Sequence, residues 1–172
     1  MSSAQPWIVH KFGGSSVADA ACFARVAEIV EAQPSGPLAL VLSAARGVTD
    51  ALLELVRLAE TRDGAREGAL AALRTRHTTL AGELLSPAAA RAFLEGFERD
   101  CADLAGLLHT VALTRVAGRS VGDLVAGYGE LWSTRLFEAY LRERARRAGR
   151  VSWLDARRCV IVEWGPPRAH HG

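Results

Sequence analysis

Lys11 is the single lysine of a chain whose other fixed cations are all arginine, and it stands directly before Phe12-Gly13-Gly14-Ser15-Ser16. A short apolar run, "WIVHKF", feeds this glycine turn, and helical spacing follows it. Glycines let a backbone come close to a ligand and adopt positive φ. The first N–H groups of a helix are unpaired and carry partial positive charge. Together they make an anion site best suited to phosphate, which a lysine at the strand's end can reach as a mobile point charge. The spacing is neither G-x-x-x-x-G-K nor G-x-G-x-x-G. On these mechanics alone, phosphate binding and a plain strand-to-helix turn with an outward lysine both stay open. An arginine-for-lysine bias is also what genome composition alone produces.

A second group is Ser43-Ala44-Ala45-Arg46-Gly47-Val48-Thr49-Asp50. Ser43 and Thr49 offer hydroxyls and the turn offers N–H groups, while Thr49 or Asp50 serving only as a helix cap is the alternative. Ligands of open parallel sheets bind outside the carboxyl ends of the strands, so two such loops from neighbouring strands reinforce each other. The third is Glu130, in "GYGELWS". A carboxylate between apolar residues is expected to be partly buried and to need a partner such as a substrate ammonium; a solvated helix glutamate is the alternative. Asp155 is expected to bond to backbone and shape the turn after it. The five histidines show no spacing with carboxylates that suggests a metal site.

These groups need elements to hold them. "WIVHKF" reads as a buried strand. Val17, Ala20, Ala21, Ala24, Ala27 and Val30 have helical spacing, with Ser15 or Ser16 as N-cap. "QPSGP" is a turn, and "LALVLSA" is continuously apolar, as a central parallel strand should be. A helix over about residues 51–61 follows. This β-turn-α-β-turn-α order predicts an α/β unit on a parallel sheet. About residues 63–118, rich in Ala, Leu and Arg, predict a helical insert of two or three helices, with breaks near Gly82, Ser86-Pro87 and Gly118. "SVGDLVAGYGELWSTRLFEAYLRERARRAG" predicts a long amphipathic helix, interrupted near Gly127 to Gly129 and stopped at Gly149. Strand character returns at Val151 to Leu154 and at Cys159 to Val162.

Composition narrows the function classes. The 172 residues suit one domain with a real core, and 49% are hydrophobic. A formal charge of +2 argues against a nucleic-acid partner. Three dispersed cysteines without a C-x-x-C pair fit free thiols in a reducing cytoplasm. "MSSAQPW" lacks the pattern of a signal peptide, and no apolar run approaches the roughly 20 residues a bilayer span needs.

In order along the chain, "KFGGSSV", "VLSAARGVTD", "GYGELWS" and "LDARRCVIV" resemble the aspartate kinase catalytic domain, whether free-standing or fused to a homoserine dehydrogenase. The helical insert between the second and third motifs is similar to that family too. The resemblance implies the amino acid kinase fold, an αβα sandwich. It implies transfer of the γ-phosphoryl group of ATP, with Mg2+, to the β-carboxylate of L-aspartate, the first step toward lysine, threonine and methionine. Carried over, Lys11 neutralises charge on the transferring group, and Gly13, Gly14 and Ser15 cradle phosphate. Thr49 and Glu130 hold aspartate, Glu130 through its ammonium, with Ser43 and Ala44 lining the same pocket. "SAARGVTD" favours aspartate over glutamate or acetylglutamate. A cytoplasmic homo-oligomer is expected.

The pattern departs from the family at Leu131, where a basic residue is usual. The family's later "GRGGSD"-like and "TDVDG"-like segments have no counterpart. The 172 residues are therefore expected to be a truncated single domain with little kinase activity alone. A fragment that only binds, or dimerises through its insert, is the competing reading.

Overall fold

The structure is a computed structural model and describes residues 6–144 and 151–160. β1 (Ile8–Phe12) and β2 (Leu38–Leu42) pair in parallel, with Ile8 beside Leu38 and Phe12 beside Leu42. α1 (Ala20–Glu31) connects them. α2 (Val48–Glu60) follows β2, and then come α3 (Ala65–Leu84), α4 (Pro87–Thr114) and α5 (Arg119–Glu143). The mixed α/β class and the parallel sheet are as the sequence predicts.

The sheet is covered on one face only among the described residues. In parallel register, Phe12, Leu38, Leu40 and Leu42 share the inner face and pack on Phe23, Val26 and Val30 of α1 and on Leu136, Phe137 and Leu141 of α5. The opposite face shows Val9 at 64% exposure and Val41 at 52%, with Lys11 at its end. The expectation of two buried strands is thus half corrected. Continuous apolarity shows that a strand can be buried on both sides, and here the helices lie on one.

Helix starts also differ from expectation. Ser15 and Ser16 fall inside a 3-10 turn, Gly14–Val17, and Asp19 caps α1 by accepting from the Cys22 N–H at 2.8 Å. That N–H holds the Asp19 carboxyl below its ordinary value. α2 begins after Gly47, whose φ of +76° is left-handed, so Thr49 and Asp50 sit within its first turn rather than capping it. An acidic residue there still suits the positive end of the helix.

The insert is two helices, α3 and α4, joined at Ser86, whose hydroxyl accepts from the Ala89 N–H and donates to the Glu143 carboxylate. Gly82 lies within α3 and does not break it, and α5 runs unbroken through Gly127 and Gly129. Tertiary packing overrides the weak helix preference of glycine at these places. A second core joins α2, α4 and α5 through Leu52, Leu55, Leu104, Leu108, Val125 and Trp132. Inside it, the buried His77 ring stacks on Phe97 and meets the Trp132 edge, with centroids 4.9 Å away in both cases. The Trp132 indole N–H donates to Asp100, which also pairs with Arg135 at 2.6 Å.

Residues 151–154 form no strand; Trp153 instead lies on α5, donating to the Thr134 hydroxyl at 3.0 Å beneath the Arg135 guanidinium. Asp155 takes the turn-shaping role expected of it. It accepts from the Arg157 N–H at the head of a 3-10 turn, Ala156–Arg158, and pairs with the Arg157 side chain. Cys159 and Val160 form no strand either. α5 ends at Glu143, with Arg144 already extended, short of the expected stop at Gly149. The rest of the expected second strand lies outside the described residues.

Candidate active site

The two loops at the carboxyl ends of β1 and β2 form one unit. The Ser43 N–H donates to Phe12 O at 3.0 Å, extending the ladder past the strands. The Arg46 N–H donates to Gly14 O at 3.1 Å. Gly14 has no room for a side chain, since a Cβ there would stand 2.9 Å from Ala44 O. Glycine at this position is therefore a packing requirement between the two loops. Gly13 differs: its nearest neighbour on the Cβ side is the Lys11 Nζ, 3.7 Å from where that carbon would be. The ammonium thus lies over the glycine turn, in the hollow that a side chain would fill. Lys11 is exposed, and among the described residues no carboxylate pairs with it. An exposed, unpaired cation beside bare glycine backbone fits an anionic group such as a nucleotide phosphate.

α5 closes the other side. Gly129 presses on the second loop so tightly that a Cβ there would come within 2.6 Å of the Ala44 Cβ and 3.3 Å of Val48 Cγ1. One residue on, the Glu130 carboxylate accepts from the Ala44 N–H at 3.3 Å. Ser133, a turn later and 3% exposed, donates its hydroxyl to Ser43 O at 2.7 Å. Two polar contacts and one bare backbone patch therefore latch α5 to the residues between β2 and α2.

Glu130 itself is exposed on α5, which matches the solvated helix glutamate rather than the partly buried carboxylate. The buried side of α5 carries Val125, Gly129, Trp132, Ser133 and Leu136, and helical rotation turns the next residue away from it. Its carboxylate keeps free lone pairs toward solvent, which suits a charged ligand group better than a buried ion would.

Gly14, Ala44 and Glu130 are thus linked by packing and a hydrogen bond, with Ser43 adjoining Ala44 and Lys11 lying near Gly13. Ser15 is exposed in the 3-10 turn beside them, and Thr49 is half-buried in the first turn of α2. Three residues with no sequence-assigned role belong here. Gly129 and Ser133 lie in the quoted motif, and a serine among the apolar residues of a helix is a faint signal. Arg76, on α3, donates to Ala18 O and Arg46 O, and no local pattern announces it. Among the described residues, no three His, Cys, Asp or Glu side chains are grouped to hold a metal ion. No helix among them is long and apolar enough to cross a membrane.

A glycine turn with a lysine over it thus lies at the carboxyl edge of a parallel sheet. Residues 6–168 match the model of the amino acid kinase family, and the chain belongs to that family. It is 34% identical over 156 residues to the chloroplastic bifunctional aspartokinase/homoserine dehydrogenase of Daucus carota, covering 91% of this chain and 17% of the relative. It is 35% identical to the lysine-sensitive aspartokinase 3 of Escherichia coli, covering 89% of this chain and 32% of the relative. Escherichia coli aspartokinase III, solved with aspartate and ADP in its R-state, superposes with a TM-score of 0.74 at 33% identity. That superposition covers 88% of this chain and 32% of the solved one. The chain therefore spans about a sixth of the bifunctional relative and about a third of the aspartokinase III chain.

Proposed function

We propose that this chain carries the phosphate-facing and aspartate-holding part of an aspartate kinase. The reaction is ATP-dependent phosphorylation of the L-aspartate β-carboxylate, in the cytoplasm, at the head of lysine, threonine and methionine synthesis. The homo-oligomer expected from the resemblance is part of the same reading. The observation that carries it is the joining of three motifs at one sheet edge: Lys11 over Gly13, Gly14 against Ala44, and Glu130 bonded to the Ala44 N–H.

In this reading Lys11 meets the transferring phosphoryl group. A carboxylate attacking a phosphate brings two anions together, and a fixed cation between them lowers that barrier. Gly13, Gly14 and Ser15 offer backbone N–H groups to phosphate oxygens. Glu130 takes the substrate ammonium, held toward the loop by its bond from Ala44, and Ser43, Ala44 and Thr49 line the pocket. Magnesium, as part of the nucleotide substrate, would supply positive charge to the phosphates beside Lys11.

The test is calorimetric titration of the folded chain with magnesium-ADP and with L-aspartate, beside Lys11→Ala and Glu130→Gln, followed by ADP release from magnesium-ATP. Nucleotide binding weakened by Lys11→Ala and aspartate binding weakened by Glu130→Gln are expected. A folded chain that binds neither compound overturns the proposal.

A further inference from the structure

The helical insert reaches into the candidate site at one point, Arg76. This residue stands in the middle of α3, next to the buried His77, and its side chain is half-buried. One terminal nitrogen, Nη2, donates to two backbone carbonyls, Ala18 O at 3.2 Å and Arg46 O at 2.9 Å. Ala18 ends the first loop, just before the cap of α1, and Arg46 lies in the second loop, just before the left-handed Gly47. A single guanidinium therefore ties the phosphate-facing loop to the loop that holds Glu130. We propose that Arg76 is a positioning residue that sets the spacing of these two loops, so that the nucleotide and the amino acid are bound as a coupled pair.

Several features support this. Charged donors make the stronger class of hydrogen bond, and here both acceptors are main-chain groups whose position fixes neighbouring amides. A trans peptide is planar, so holding the Arg46 carbonyl also fixes the direction of the Gly47 N–H on its far side. Gly47 has the backbone freedom that makes such an anchor worthwhile. The base of the clamp is rigid, because the neighbouring His77 is fixed by its bond to Leu73 O at 2.8 Å and by stacking on Phe97. The two loops also touch directly, through Arg46 N–H to Gly14 O and the close approach of Gly14 to Ala44 O. Arg76 sits across the same junction as a third tie.

The inference rests on the kinase reading for the ligands but not for the clamp, and its test separates the two. Arg76→Met keeps the apolar stem and removes both hydrogen bonds; Arg76→Lys keeps a cation able to reach one or both carbonyls. The first readout is amide hydrogen exchange in the ligand-free chain. Exchange at Arg46 N–H and Ser16 N–H is expected to rise about tenfold in Arg76→Met, and less in Arg76→Lys, with Leu104 and Leu108 unchanged. The second readout is the affinity for L-aspartate with and without saturating magnesium-ADP. A wild-type coupling that Arg76→Met abolishes and Arg76→Lys partly restores supports the proposal. Unchanged exchange at both loops in Arg76→Met overturns it, as does coupling that survives the substitution. If Arg76→Met fails to fold, Arg76→Gln, which also removes the guanidinium, carries the same two readouts, and wild-type exchange with wild-type coupling in that variant overturns the proposal. If the wild-type chain binds neither ligand, the kinase reading fails, while the exchange data still decide whether Arg76 spaces the loops.

Discussion

Gly127 and Gly129 lie on the same helix two residues apart, and their replacement by alanine should act in opposite directions. At Gly127 a Cβ would meet nothing within 4 Å. Gly127→Ala should then gain only the better helix preference of alanine, about 1 kcal/mol. At Gly129 the same carbon would stand 2.6 Å from the Ala44 Cβ. Ala44 has nowhere to recede, because its own carbonyl is already packed against Gly14 and its N–H is bonded to Glu130. Overpacking a tight contact costs about 1–3 kcal/mol, which offsets or exceeds the gain in helix preference. The two variants should therefore differ by about 1–3 kcal/mol in stability, or roughly 2–12 °C in Tm for a chain of this size. Thermal unfolding followed by circular dichroism measures this. The methyl must also push α5 off the loop, so L-aspartate affinity should fall in Gly129→Ala and hold in Gly127→Ala. If both variants raise Tm equally and bind aspartate alike, α5 does not press on the second loop, and the site as described is wrong.

Two further outcomes follow from buried groups. Burial pushes the His77 pKa down to about 4, so the folded chain keeps it neutral while the unfolded chain protonates it near 6.5. Stability should therefore fall as pH drops from about 6.5 toward 4, by about 3 kcal/mol from this group. Urea unfolding across that range measures it. The difference between wild type and His77→Gln isolates the term, and identical pH dependence would refute it. Cys101 is buried and its thiol is pushed up to about 11, whereas Cys159 is exposed. A thiol reagent at neutral pH should label Cys159 at once and Cys101 only as the chain unfolds. Mass spectrometry checks this, and equally fast labelling would contradict the packing of α4.

The first half of the fold was legible because its signals are local. Glycine turns punctuate "WIVHKF" and "LALVLSA", and helical spacing starts soon after each. The insert was legible for the same reason, since residues 63–118 coincide with α3, α4 and the connection after them. Features set by distant partners were less readable. Asp19, Ser15 and Ser16 all have capping chemistry, and only the three-dimensional turn decides that Asp19 is used. Gly129 looks like a helix breaker in sequence and proves to be the contact surface for Ala44 and Val48. Glu130 looks enclosed because its neighbours in sequence are apolar, yet a helix separates neighbours by rotation. Arg76 carries no local signature, because what it holds lies 30 and 58 residues away.

The latch between α5 and the second loop also fixes when the site can exist. Ala44 and Glu130 are separated by 86 positions, and Ser43 and Ser133 by 90. A ribosome adding about 5–20 residues per second needs roughly 4–18 s to make that interval. Through that time both loops are present without the helix that fastens them. The intervening residues are helices, which assemble from short-range contacts and can form while synthesis continues. The insert thus shortens a long unstructured span to the distance between two helix ends before α5 arrives, leaving a much smaller entropy of closure to overcome. Slowing translation between codons 63 and 118 should lengthen the unlatched interval, and ligand binding should appear only once α5 has cleared the exit tunnel.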